Sequence, residues 1–207
     1  MLDFITINEH SSIRLDEGKI IYSDPYNIRN ATHDADIILI THSHFDHYSP
    51  EDISKVMKSD TVIVCPISMT EPKELGLTVK QVTPGDSFEV LGIKFEAVPA
   101  YNIGKPFHPK SNGWLGYIIN SPNNGRIYVA GDTDITPDNK QVNCDIALVP
   151  AGGTFTTDAL QAAELINTIR PKYAIPVHYG TVAGNPEDGD IFRKSVVSDV
   201  KVVIKLQ

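Results

Sequence analysis

The chain has 207 residues, 41% of them apolar, and a formal charge of −8. That length and composition can bury one sizeable core and suit a single domain, 1–207, better than two. The acidic balance speaks against a protein that grips nucleic acid through a broad basic surface, though a locally positive cleft could still draw a small anionic substrate.

In chain order, the first half reads as strands joined by turns. Residues 4–7, 12–15 and 19–22 carry strand-forming side chains, and Asp16-Glu17-Gly18 supplies a hairpin turn between the last two. Asp36-Ile37-Ile38-Leu39-Ile40 is a short apolar, β-branched run, the pattern of a buried strand. Ser49-Pro50-Glu51-Asp52 opens a helix that continues through Ile53, Val56 and Met57: Ser caps it, Pro takes the first position and acids fill the first turn. Strands follow at 61–65, 78–82, 87–91 and 93–98. Residues 100–113, with Gly104, Pro106, Pro109 and Gly113, make the longest irregular stretch and a candidate pocket loop.

The second half resumes with strands at 116–119, 126–129 and 145–149. Thr157-Asp158 caps a helix over 159–166 that stops before Pro171, with Leu160, Ala163 and Ile166 expected on its buried face. Strands at 175–177 and 200–204 complete the chain. No apolar run approaches the roughly 20 residues of a membrane span, and no export signature is visible at the start, so a cytoplasmic protein is expected. Cys65 and Cys144 lack disulfide-framework or CxxC spacing, and Cys65 lies in an apolar strand where packing is its expected role.

The densest chemistry is His42-Ser43-His44-Phe45-Asp46-His47, immediately after the apolar run that ends at Ile40. Three imidazoles and a carboxylate are donors for borderline or hard divalent cations, and the ends of strands are where open sheets place binding groups. Two later segments extend the pattern: Tyr128-Val129-Ala130-Gly131-Asp132-Thr133 and Ile175-Pro176-Val177-His178.

Taken together, these three motifs resemble the HxHxDH, Gly-Asp-Thr and final-histidine signatures of the metallo-β-lactamase-fold hydrolases. His10-Ser11-Ser12 and Ser23-Asp24-Pro25 are similar to a branch that includes the ascorbate-6-phosphate lactonase-like proteins. The resemblance implies an α/β (α+β) fold in four layers, an αββα sandwich. It implies one or two divalent metal ions, Zn2+ by preference with Mn2+ or Fe as alternatives. His42 and His44 would hold the first ion, Asp46, His47 and His178 the second, and Asp132 would bridge both. A metal-bound hydroxide would then attack a small ester, lactone or phosphoester, with Asp46 orienting it or moving its proton. His10 would line the pocket among the catalytic groups, and Asp24 would accept a hydrogen bond from a ligand imidazole. Lys110 and Tyr101 are the substrate candidates, with Lys105 beside them and Trp114 as a possible wall. His33 is expected at the surface, and Gly152-Gly153 in a tight turn.

One departure stands out. The family pattern carries a further histidine near Tyr101-Asn102, and none stands there. Either His108, six residues beyond Asn102, loops back to the metal, or Asn102 serves as a weak oxygen ligand, or the first site is incomplete. The last case leaves a metal-binding protein of this fold with little or no hydrolysis. The expected partner is a small molecule, with an anionic one open, and neither nucleic acid nor membrane; exposed sheet edges leave self-association open.

Overall fold

The computed structural model describes residues 2–206, so the two end positions of the expected domain lie outside it. Two mixed sheets form the centre. The first holds β1 (Ile5–Glu9), β2 (Ser12–Asp16), β3 (Ile20–Ser23), β4 (Ala35–Leu39), β5 (Met57–Pro66) and β6 (Thr78–Val82), paired in chain order. The second holds β7 (Ser87–Val90), β8 (Ile93–Pro99), β9 (Leu115–Ser121), β10 (Gly125–Val129), β11 (Ile146–Pro150), β12 (Tyr173–Val177) and β13 (Lys201–Val202), again in order.

Strand periodicity sorts the side chains into layers. Ile37, Leu39 and Val64 of the first sheet meet Tyr117, Ile119, Leu148 and Ile175 of the second in a shared core. Their neighbours Ile38, Ile63 and Cys65 point the other way, onto Ile53 and Val56 of α1 (Pro50–Val56). On the far side, Ile118, Tyr128, Ala147 and Val149 meet Ala162, Ala163 and Ile166 of α2 (Ala159–Ile169) and Phe192 of α3 (Asp188–Ser195). The result is the expected helix–sheet–sheet–helix order. Each fully buried Leu or Ile contributes about 1.5–3 kcal/mol over an exposed one.

Local chemistry sets the helix starts. Ser49 accepts from Asp52 N at the head of α1, with Pro50 at the first position. Asp158 and Gln161 close a reciprocal capping box at the head of α2. Several expectations shift. The first helix ends at Val56, and Met57 already begins β5. Leu160 is 61% exposed, because the buried stripe of α2 is Ala159, Ala162, Ala163 and Ile166, at helical spacing. The last strand shrinks to Lys201–Val202, and α3 was not anticipated. Among the described residues no helix is long and apolar enough to cross a membrane.

Candidate metal centre

Strand direction brings the donors together. β1 and β3 both run antiparallel to β2, and β4 runs parallel to β3. The segments that follow β1, β3 and β4 therefore leave the same end of the first sheet, carrying His10, Asp24 and the His42–His47 motif. In the second sheet β8 and β10 flank β9 antiparallel, and β10, β11 and β12 are parallel. So His108, Asp132 and His178 also emerge at one end. The two ends are tied across the sandwich: His178 N donates to His10 O at 3.1 Å, Leu115 N to Thr41 O at 3.1 Å, and the Tyr117 hydroxyl to Ile40 O at 2.7 Å.

The backbone is forced into uncommon conformations here. His10, Asp24 and His178 have φ of 52°, 47° and 57°, in the left-handed region that side chains other than Gly rarely adopt. Gly131, next to Asp132, has φ of +65°, and a Cβ there would stand 2.6 Å from Leu115 O. Gly152 turns beneath the site, where a Cβ would meet His178 O at 2.3 Å. That close approach requires Gly152, and Gly153 has φ of +69°, in keeping with the tight turn expected of the pair.

The donor atoms form two lobes around Asp132. His42, His44 and His108 make one group and His10, Asp46, His47 and His178 another, with His42, His47 and Asp132 spanning them; within each group the donor atoms lie within 4.8 Å. Asp132 Oδ2 is 3.0 Å from His178 Nε2 and 3.3 Å from His108 Nε2, while its Oδ1 is 3.2 Å from His47 Nε2. Asp46 Oδ2 is 3.3 Å from His10 Nε2, 3.4 Å from His47 Nε2 and 3.7 Å from His178 Nε2. All but His44 are buried. The loop does bring His108 back, and Asn102 turns its side chain onto His108 and Phe155 O.

Asp24 sets two ring orientations at once. Its Oδ2 accepts from the Thr41 hydroxyl at 2.6 Å, so Thr41 Oγ1 is left to accept from His42 Nδ1 at 3.0 Å. The same Oδ2 lies 2.8 Å from His47 Nδ1. Both histidines therefore carry hydrogen on Nδ1, which leaves His47 Nε2 facing Asp132 Oδ1 at 3.2 Å and His42 Nε2 facing His44 Nδ1 at 3.0 Å. Each Nε2 is then the atom at which a proton or a metal cation must sit between the facing groups. Of nine buried side-chain polar atoms without a hydrogen-bond partner among the described residues, six belong to this cluster: His10 Nε2, His47 Nε2, His108 Nε2, Asp132 Oδ1 and both nitrogens of His178. Orphans so concentrated fit a divalent metal, and mixed imidazole and carboxylate donors admit zinc, manganese or iron.

The electrostatics agree. Burial would raise Asp132, yet the facing His178 and His47 hold it well below the usual carboxylate range. Burial likewise opposes ionised Asp46, and His10, His178 and His47 outweigh it and depress it. Burial opposes charge on His47, but Asp132 and Asp24 raise it well above its ordinary value, so the site draws positive charge to this point. His42 is pushed well below its ordinary value by burial, with His47 adding to the effect; burial takes His10 down to about 4.

The remaining expected residues have partners of their own. The Tyr101 hydroxyl donates to Asp138 at 2.7 Å, and Lys110 Nζ reaches the same carboxylate at 3.0 Å while sitting over the Tyr101 ring. Lys105 is held by Asp134 and Thr156 O, both at 2.6 Å. Trp114 packs against His42, His44 and His108, with ring centroids 4.8, 4.9 and 5.5 Å apart, and so forms a wall of the first lobe. His33 is exposed, as expected. Sequence reading missed Thr41, whose link between Asp24 and His42 leaves no mark in the motif.

A family model described as a β-lactamase superfamily domain matches residues 4–178. The chain is 32% identical over 183 residues to a UPF0173 metal-dependent hydrolase of Methanopyrus kandleri, covering 83% of this chain and 79% of that protein. A second such hydrolase, from Thermococcus onnurineus, is 30% identical over 212 residues, covering 94% and 92%. A crystal structure from Parabacteroides distasonis, provisionally described as a metal-dependent hydrolase, superposes with a TM-score of 0.83 at 36% identity, covering 98% of this chain and 93% of that one. The Igni18 metallo hydrolase of Ignicoccus hospitalis shares the fold, with a TM-score of 0.79 at 21% identity and coverage of 98% and 94%.

Proposed function

The chain belongs to the metallo-β-lactamase superfamily, with metal-dependent hydrolases as its relatives, and from that premise we propose that it hydrolyses a small ester or lactone at the Asp132-centred cluster. The observation that carries this reading is the set of six orphaned donor atoms around Asp132 and Asp46. His42, His44 and His108 would hold one divalent cation and Asp46, His47 and His178 a second, with Asp132 facing both. Zn2+ suits these donors, as do Mn2+ and Fe. Such cations, when bound, acidify water and polarise the oxygen of the scissile bond.

The chain's own groups do the rest. Asp46, kept ionised by its imidazole neighbours, orients the attacking water by accepting its hydrogen bond at Oδ2. His10 Nε2, 3.3 Å from that oxygen, is a further group lining the pocket beside it. Asp24 keeps the His42 and His47 rings in one orientation through the cycle. Within this class a neutral carbonyl centre is favoured over a phosphoester. The cations of the pocket loop, Lys105 and Lys110, are engaged by Asp134 and Asp138, and exposed Phe45 and Phe107 sit beside donor residues in the chain. The lactonase-like reading of the branch resemblance is compatible with this preference. Residues 1–207 would act as one catalytic domain, whose inter-sheet core draws on both halves of the chain. Free, buried Cys65 and Cys144 suit a reducing compartment such as the cytoplasm.

The test is metal content by elemental analysis together with hydrolysis of a panel of lactones, aryl esters and phosphodiesters, on wild type and Asp132→Ala. Metal and turnover should both disappear in the variant. A wild-type rate no higher than that of Asp132→Ala across the panel would leave a metal-binding protein of this fold that does not hydrolyse these substrates.

A further inference from the structure

We infer that Asn102 is a positioning residue that turns the displaced loop histidine, His108, into a metal ligand. The inference rests on the reading of His108 as a donor given above, and it concerns how the chain makes up for the histidine absent near Tyr101-Asn102.

The amide orientation of Asn102 follows from two partners of unambiguous polarity. Oδ1 accepts from His108 N, at 3.2 Å, and a backbone N–H can only donate. Nδ2 donates to Phe155 O, at 2.9 Å, and a carbonyl can only accept. With the amide fixed this way, the atom that faces His108 Nδ1 at 2.9 Å is an acceptor. His108 therefore carries its hydrogen on Nδ1, and its Nε2 lone pair is left free. That Nε2 is buried without a hydrogen-bond partner, 3.3 Å from Asp132 Oδ2 and grouped with the donors of His42 and His44. A third contact, Asn102 N to His108 O at 2.7 Å, closes the loop on itself.

The clamp is anchored on both sides. Asp134, two residues past Asp132, accepts from Ile103 N at 2.9 Å and from Lys105 Nζ at 2.6 Å. Phe107 stacks edge-on against Phe155, with ring centroids 4.8 Å apart. The Asn at 102 thus acts one step removed: it does not reach the cation and instead aims an imidazole supplied six residues later.

The test uses Co2+ as the probe, titrated into the metal-stripped full chain against a competing chelator, with the visible spectrum recorded. His108→Ala should lose one of two equivalents. Asn102→Ala should weaken that same equivalent about 10–100-fold and change its spectrum, as losing an orienting partner typically does. Asn102→Asp keeps an acceptor for both N–H groups of His108 but loses the donor to Phe155 O, so its affinity should lie between those of the alanine variant and wild type. Unchanged melting of the metal-stripped variants would show that unfolding is not the cause. If the alanine variant does not fold, Asn102→Ser also withdraws the acceptor from reach of Nδ1 and gives the same reading. If His108→Ala loses an equivalent while Asn102→Ala binds both within about twofold of wild type, the clamp is wrong and the ligand set stands. If His108→Ala keeps both equivalents, the ligand assignment fails and takes the clamp with it.

Discussion

The donors of the cluster are held in two different ways. His178 directly follows the last residue of β12, and its backbone N–H is bonded to His10 O across the sandwich. Asp132 lies just beyond β10, behind a glycine that no other residue could replace without meeting Leu115 O. These donors are held by backbone, and backbone at a strand end moves only with the sheet. His108 stands nine residues past the end of β8 and is held by side chains: Asn102, the Asp134–Lys105 pair and the Phe107–Phe155 contact. Donors of the first kind share the stability of the core, while a donor of the second kind can be loosened without unfolding anything.

The largest effect should come from the residue that serves both lobes. Asp132→Ala removes a carboxylate facing His47, His108 and His178 together, so both cation positions should empty. Losing the several kcal/mol that bound metal supplies should lower turnover roughly 10³-fold or more, checked by metal analysis and steady-state kinetics. Retention of one full metal equivalent would mean that the lobes are independent of Asp132 and would blur the comparison.

Asp24→Asn comes next and also crosses the divide. The carboxylate accepts from Thr41 N, the Thr41 hydroxyl and His47 Nδ1. An amide that keeps the backbone bond must turn its NH2 toward His47 Nδ1 and the Thr41 hydroxyl. His47 then flips its tautomer and points an N–H into the site. Metal affinity should fall about 10–100-fold in both lobes, measured by chelator competition. A loss confined to one lobe would show that the Thr41 relay to His42 carries little.

How much of this was legible follows the same division. The His42–His47 motif, Asp132 and His178 stand directly behind apolar runs, so contiguous sequence revealed both the donors and their place at strand ends. Asp24 was legible only through the family resemblance carried by Ser23-Asp24-Pro25. The helix starts were legible because caps are local: Ser49 and Asp158 bond to residues three positions away. The facing of each strand was not, since Ile37 and Ile38 are both buried, one between the sheets and one under α1, and a run covered on both faces shows no alternation. Leu160 misleads because it stands at the edge of the face it shares with Ala163, while the buried stripe runs through Ala159, Ala162 and Ile166. The helix Asp188–Ser195 was hidden by Gly189, a poor helix former kept where a Cβ would strike the Tyr179 hydroxyl. His108 could not be placed, because its path depends on Lys105 meeting Asp134, residues 29 apart in the chain.

Lys105→Met tests that dependence gently. The pair is partly exposed, with side-chain exposures of 27% and 11%. Its loss should cost about 1 kcal/mol at most, or roughly fivefold in affinity. The loss should appear only in the lobe that contains His108, and should shrink in high salt if the screened charge pair is responsible. An equal loss in the His178 lobe would mean that the loop is not a separate module.

The smallest effect should come from the opposite end of β4, where Asp36 accepts from Ile20 N at 2.8 Å and Lys58 Nζ at 2.6 Å. Burial would raise this carboxyl, but Lys58 and the Ile20 N–H outweigh it and hold it below its ordinary value of 3.8. A depressed acid stabilises the fold at pH above its unfolded-state value, and that contribution is lost as pH falls from there through the folded-state value. Asp36→Asn should therefore lower stability by about 1 kcal/mol near neutrality and flatten the loss of stability below pH ~4, read by thermal melts across pH. Metal affinity should not change in either lobe. Strand-end donors feel the sheet as a whole, and a sheet that stays folded keeps them where they are. If affinity in the His178 lobe did fall with so small a change at the far end of β4, the backbone would not be the rigid support on which the contrast with His108 depends.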